Sequence, residues 1–158
     1  MLNLNALFKG DIDSKTLNLV PLVQITKGET LYVSTNSIEF DGNYYNPVLL
    51  NIPSLKESVN FESRKYTISS VDLQLSNFPF EGDRLSDGND LINAEIEIRW
   101  KSQSCESWGD CLKVFVGKVR NIKTSSDNLT LSVEDVSQEN LHRDLPASMT
   151  TDGDEYAD

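Results

Sequence analysis

From residue 92 to 101 the chain alternates without a break. Ile92, Ala94, Ile96, Ile98 and Trp100 fall on one side, and Asn93, Glu95, Glu97, Arg99 and Lys101 on the other. A period of two is the geometry of a β-strand with one buried face, and no helix can place those residues that way. The same alternation recurs at Val71, Leu73 and Leu75 against Asp72, Gln74 and Ser76, and at Leu129, Leu131 and Val133 against Thr130, Ser132 and Glu134. Three such strands commit the chain to an antiparallel sheet with a wet side.

Turn chemistry sets the connections. Asp41-Gly42-Asn43 separates residues 37–40 from 44–46 and signals a hairpin, because its turn needs positive φ. Ser125-Ser126-Asp127-Asn128 joins the strand over 112–124 to the one over 129–134. That longer strand changes parity: Leu112, Val114 and Val116 share a face, Val119 falls opposite, and Ile122 returns. A bulge near Gly117 accounts for the slip and bends the strand. Residues 18–26 and 30–34 form two further strands around Lys27-Gly28-Glu29. The first is apolar on both faces, and Pro21 assigns it to a sheet edge or a bulge. Strands are also expected over 59–62 and 66–76, and a short helix within the N-terminal 2–14 segment. Asp135-Val136-Ser137-Gln138 has the form of a capping box for a helix ending before Pro146.

The fold expected is mainly β, a single antiparallel β-barrel with a short C-terminal helix and a flexible acidic tail. Its divisions are an N-terminal arm over 1–17, the barrel over 18–135, the helix over 136–146 and the tail over 147–158. The length of 158 residues suits one core, and the mean hydropathy of −0.38 suits a protein that no lipid bilayer surrounds. No apolar run approaches the ~20 residues of a membrane span, and the N-terminus has no secretory pattern.

Charge excludes one class of partner. Eight acids against Arg143 alone put −7 of the net −11 into residues 134–158, and no Lys/Arg cluster exists to neutralise phosphates. Nucleic-acid binding is not expected, nor is a membrane partner. Catalytic patterns are equally sparse. His142 is the only histidine and lies on the polar C-terminal segment, with no nucleophile-elbow motif anywhere. Glu95 and Glu97 share a strand face and form a carboxylate pair of the kind a hydrolase could use, but Arg99 and Lys101 continue that face. Cys105 and Cys111 with His142 fall short of a zinc site's four ligands, and two reduced thiols at the ends of a loop are expected. Asp87-Gly88-Asn89-Asp90 lacks the spacing of a calcium loop, and the glycines are isolated turn residues rather than a phosphate cradle. No cofactor and no metal is expected. The chain reads as no enzyme.

What remains are aromatic side chains suited to contact. Phe78, Pro79 and Phe80 form a rigid apolar step after the strand at 71–76, and Trp108 sits between the cysteines. Tyr44, Tyr45 and Trp108 form either protein-interface anchors or a carbohydrate-stacking platform.

The order of these elements resembles the barrel domain of tail hub proteins from tailed bacteriophages and gene-transfer agents. The carrying residues are 19–26, Phe40-Asp41-Gly42-Asn43-Tyr44-Tyr45, 71–78, 96–100, the Cys105 to Cys111 insertion, and Val116-Gly117-Lys118-Val119 running into 129–135, within roughly 17–146. The resemblance implies a structural component of a phage tail tip or baseplate, a virion protein assembled in the host cytoplasm. It implies a ring of trimers or hexamers, joined strand edge to strand edge. The partners implied are copies of itself, the tail tube, distal tail proteins and tip or fibre proteins. Hubs of this class carry two barrel-like domains per chain, and this length suits one, so a distal-tail-type hexameric ring is the alternative. A carbohydrate-binding β-sandwich module is the alternative from another class.

Overall fold

The computed structural model describes residues 4–14, 16–51, 54, 58–60, 65–67, 70–79, 82–88 and 90–136. In chain order they form α1 (Ala6–Ile12), β1 (Val20–Lys27), β2 (Glu29–Ser34), β3 (Ile38–Phe40), β4 (Asn43–Tyr45), β5 (Ser58–Asn60), β6 (Lys65–Thr67), β7 (Val71–Ser76), β8 (Glu95–Lys101), β9 (Leu112–Thr124) and β10 (Asn128–Asp135). Six strands make one antiparallel sheet in the order β2-β1-β8-β9-β10-β7, and β3–β4 and β5–β6 are separate hairpins. The sheet curls into a half-barrel. The C-terminal helix and the acidic tail expected beyond it fall on residues 137–158, outside the described ones. Val136 is the last residue described, and its N–H still donates to the Val116 carbonyl at 3.2 Å.

The concave face of the curl holds the larger core. Val71, Leu73 and Leu75, Ile96 and Ile98, and Leu129, Leu131 and Val133 all bury there with Val23, Ile25, Phe115 and Val119. Each such side chain contributes roughly 1.5–3 kcal/mol, so the alternating strands cannot slip by one residue without exposing the whole set. A second cluster packs elsewhere around Phe8 of α1, Leu22, Phe40, Tyr45, Cys105 and Cys111. Successive residues of β1 therefore serve two cores, Leu22 one and Val23 the other. That is why the strand reads apolar throughout.

Four sequence expectations are corrected. Pro21 does not mark an edge: β1 lies between β2 and β8, with Pro21 opposite Trp100. The Pro21 carbonyl accepts from Ser34 Oγ at 2.8 Å, so the ring nitrogen also faces the far end of β2, where β1–β2 pairing has stopped at Leu22–Ser34. The missing donor interrupts no ladder. The strand expected over 66–76 is two, β6 and β7, in different sheets. The strand expected from Ile92 begins at Glu95, because Asn93 takes φ 63 and turns the chain, leaving Ile92 exposed and Leu91 buried.

The fourth concerns β9. Its core face is Phe115, Gly117 and Val119, and the parity changes on either side of that run rather than at Gly117. Val114 is the extra residue against β8, between the pairs Ile98–Phe115 and Arg99–Lys113. Arg120 is the extra residue against β10, between Ser132–Asn121 and Val133–Val119. Two bulges curl the strand, as bulges do.

Both edges of the sheet meet the same connecting segment. Asn46 donates from its N–H to the Tyr32 carbonyl and accepts from the Ser34 N–H, at 3.0 and 2.9 Å, and the Leu49 N–H donates to the Ser34 carbonyl at 3.0 Å. On β7, the Leu50 N–H donates to the Gln74 carbonyl at 2.8 Å and the Ser76 N–H to the Val48 carbonyl at 2.7 Å. Asn51 continues the pattern with its side chain, Oδ1 accepting from the Gln74 N–H at 2.8 Å and Nδ2 donating to the Asp72 carbonyl at 3.1 Å. Edges satisfied in this way are poor templates for pairing with another chain.

Candidate assembly surface

The β3–β4 hairpin turns through Asp41 and Gly42, at φ 50 and 73, the two positive angles a type I′ turn demands. Alternation along β4 then sends its two tyrosines opposite ways. Tyr44 is 54% exposed, with its hydroxyl 2.7 Å from Ser37 Oγ. Tyr45 is fully buried, its hydroxyl accepting from Gln24 Nε2 at 3.0 Å and its ring edge-on to Tyr32 at 5.2 Å. Burial pushes the Tyr45 phenol up to about 12. Trp108 stacks on Tyr45 with centroids 6.4 Å apart, and Arg99 lies 4.7 Å from the Trp108 ring centre. The Arg99 guanidinium also donates to the Trp108 carbonyl at 2.7 Å, and the Trp108 N–H donates to Asp41 Oδ2 at 3.0 Å. Tyr44, Tyr45 and Trp108 therefore form no common platform. Tyr45 is core, and Trp108 ties its loop to the sheet.

That loop is built on carboxylates. Trp108–Asp110 is a single 3-10 turn. Asp110 Oδ2 accepts from the hydroxyl and N–H of Ser107 at 2.8 and 2.9 Å, and Oδ1 accepts from Asn5 Nδ2 at 2.7 Å. Asp11 of α1 is buried and accepts from the Ser104 hydroxyl at 2.5 Å and the Ser104 N–H at 2.8 Å. Hydroxyl bonds from Ser102 and Ser104 hold the Asp11 carboxyl below its usual range. The stability it lends is complete above the ordinary carboxylate value of ~3.9 and is lost as pH falls through the lower folded value. The protection factor of the Ser104 amide is accordingly expected to fall as pH drops below about 3.9, and Asp11→Asn to remove that pH dependence.

Phe78 lies on the opposite footing from Tyr45. It is 67% exposed, the most exposed of the large apolar side chains among the described residues, and Pro79 is exposed beside it. Phe80 lies outside the described residues. The residue that aims this step outward is one the sequence reading passed over. Asn77 is fully buried, its N–H donating to the Asp127 carbonyl at 2.9 Å and its side-chain amide to the Ser125 carbonyl at 2.8 Å. Its Oδ1 accepts from the Ser86 N–H at 3.0 Å. An asparagine closing an alternating strand, just before an aromatic–proline step, was the available signal.

The charged face of β8 is occupied by its own pairs. Arg99 meets Glu97 Oε1 through Nη2 at 2.6 Å and through Nε at 2.7 Å, with Lys113 Nζ at 4.0 Å. Glu97 thus faces a guanidinium rather than Glu95. Asp90 in the turn singled out by sequence bonds Lys27 Nζ at 2.8 Å, which holds its carboxyl below the usual range. Lys27, Glu29, Thr30 and Asp90 line a 330 Å³ depression together with Ile25, Leu31 and Leu91. Among the described residues no three His, Cys, Asp or Glu groups gather as metal ligands, and no helix is long and apolar enough to cross a membrane. His142 lies outside the described residues.

The described residues define a curled antiparallel β half-barrel with two side hairpins. No family model and no curated protein matches the sequence. Among solved structures, a chain from the virion of a native gene transfer agent particle shares the fold, with a TM-score of 0.59 at 10% identity. The match covers 85% of this chain and 46% of that one, so this chain spans less than half the length of its structural neighbour.

Proposed function

We propose that this chain is a non-enzymatic structural component of a phage-type tail, forming a ring at the tail tip that connects the tube to tip or fibre proteins. The observation that carries the reading is the fold it shares with a chain of a gene transfer agent virion. In this reading residues 46–51, bonded to both sheet edges, close the half-barrel into a barrel. The β7 edge and the Tyr32–Ser34 end of the β2 edge are then occupied within the chain. Ring contacts run instead through exposed side chains, with the Phe78-Pro79 step as the apolar anchor. Its 67% exposure supports this reading, since a core aromatic would be buried. A carbohydrate platform is not carried forward, because Tyr45 is unavailable to a ligand.

Light scattering with negative-stain imaging tests this. The expected mass is three or six times 17.7 kDa, three for a hub-type ring and six for a distal-tail type. A monomer at every concentration that binds no tail-tube or fibre protein overturns it. Phe78→Ser is expected to weaken ring association by about 30-fold, the loss typical of a buried aromatic anchor. Its unfolding free energy stays within about 0.5 kcal/mol of the parent, as for other exposed positions.

A further inference from the structure

The second cluster buries both cysteines, which stand six residues apart around the 3-10 turn. Cys105 Sγ donates to the Asp110 carbonyl at 3.5 Å, and that carbonyl belongs to the peptide unit leading into Cys111. Cys111 Sγ turns back into the same loop and donates to the Ser107 carbonyl at 3.6 Å. Cα atoms of bridged cysteines stand roughly 4.4–6.8 Å apart, and a Cys105 sulfur lying against the peptide unit that leads into Cys111 is placed for such an approach.

We infer that Cys105 and Cys111 are a redox pair that closes as an intrachain disulfide when the protein meets a small-molecule disulfide oxidant. The Cys105 thiolate attacks a sulfur of oxidised glutathione and releases one glutathione thiolate. Cys111 then loses its proton and attacks the Cys105 sulfur of the mixed disulfide, releasing the second. Two protons and two electrons leave the protein, and one glutathione disulfide becomes two thiols. Burial, the largest cause, and the neighbouring Cys105 push the Cys111 thiol up to about 12, so closure is slow, and the reducing poise of a cytosol keeps the pair as thiols.

The bridge would fix the loop on which other elements hang. Trp108 within it holds Asp41 of the β3–β4 turn, and Asp110 holds Asn5 at the start of α1. If the virion reading holds, closure follows release from the host cell, but the chemistry itself does not depend on that reading.

The test uses the full chain, purified reduced and freed of reductant. It is held with excess oxidised glutathione until its thiol content stops changing. The expected product has no titratable thiol after denaturation and is about 2 Da lighter. It runs as a single chain, unfolds several degrees higher, and reverts with dithiothreitol. Cys105→Ser and Cys111→Ser, measured alongside, show no such rise. Two persisting thiols, a trapped glutathione adduct or a disulfide between chains overturns the inference. None of these readouts depends on ring formation, so its failure is distinguishable from failure of the tail reading.

Discussion

Gly117→Ala lowers the unfolding free energy by about 3 kcal/mol, read from the denaturant midpoint at unchanged slope. The ordinary expectation has the opposite sign, since glycine inside a strand costs roughly 0.5–1 kcal/mol relative to alanine. Here a Cβ would run into the Glu134 carbonyl oxygen, and would stand 2.6 Å from Phe115 Cε1 and 2.7 Å from Val133 Cγ1. The Glu134 oxygen belongs to the backbone of β10, where Glu134 pairs with Lys118 of β9 and follows directly on Val133, which pairs with both β9 and β7, so moving it disturbs both ladders. Phe115 and Val133 are core residues with no space to retreat into. Gly10 supplies the contrast. It lies in α1 with nothing near a Cβ, and Gly10→Ala is expected to stabilise by about 0.5–1 kcal/mol. A stable Gly117→Ala would mean that β9 and β10 do not approach as closely as the fold requires.

The same glycine explains what could be read beforehand. Strands β7 and β10 were legible because each buries one face. Val71, Leu73 and Leu75 and Leu129, Leu131 and Val133 therefore repeat at two without interruption. The hairpin at Asp41 and Gly42 was legible because few residues accept positive φ. Strand β9 was not, because its core face passes through a residue with no side chain, while Val114 and Val116 give the other face an apolar look. Reading parity from side chains then places the irregularity at the glycine, when it lies at Val114 and Arg120. The contacts that organise the candidate surface were hidden for another reason. Asp11 meets Ser104 across 93 residues, and Asn77 meets Ser125 across 48. A lone Asp in a helix or an Asn after a strand carries no local pattern that names so distant a partner. Of the aromatic candidates, sequence identified the residues and not their directions. Phe78 points out, Tyr45 points in, and Trp108 is held between Tyr45 and Arg99.

Tyr45→Ala and Tyr44→Ala separate these readings most sharply, because the two residues are adjacent and their environments are opposite. Truncating Tyr45 removes the largest fully buried side chain among the described residues. Aromatic-to-alanine changes in a core cost roughly 3–5 kcal/mol, from lost transfer energy and from the cavity left behind. The Gln24 amide loses the hydroxyl it donates to, and Trp108 loses the ring it stacks on. For a domain of ordinary stability, about 5–15 kcal/mol, that is a large share of the whole. Tyr45→Phe isolates the hydroxyl and is expected to cost about 1 kcal/mol. Tyr44→Ala, at an exposed site, is expected to stay within about 0.5 kcal/mol. Urea unfolding followed by the combined fluorescence of Trp100 and Trp108 checks all three, with the Tyr45→Ala emission shifted to the red as water reaches the Trp108 indole. Equal, small effects at both tyrosines would place Tyr45 on the surface and return the pair to the role of a ligand platform.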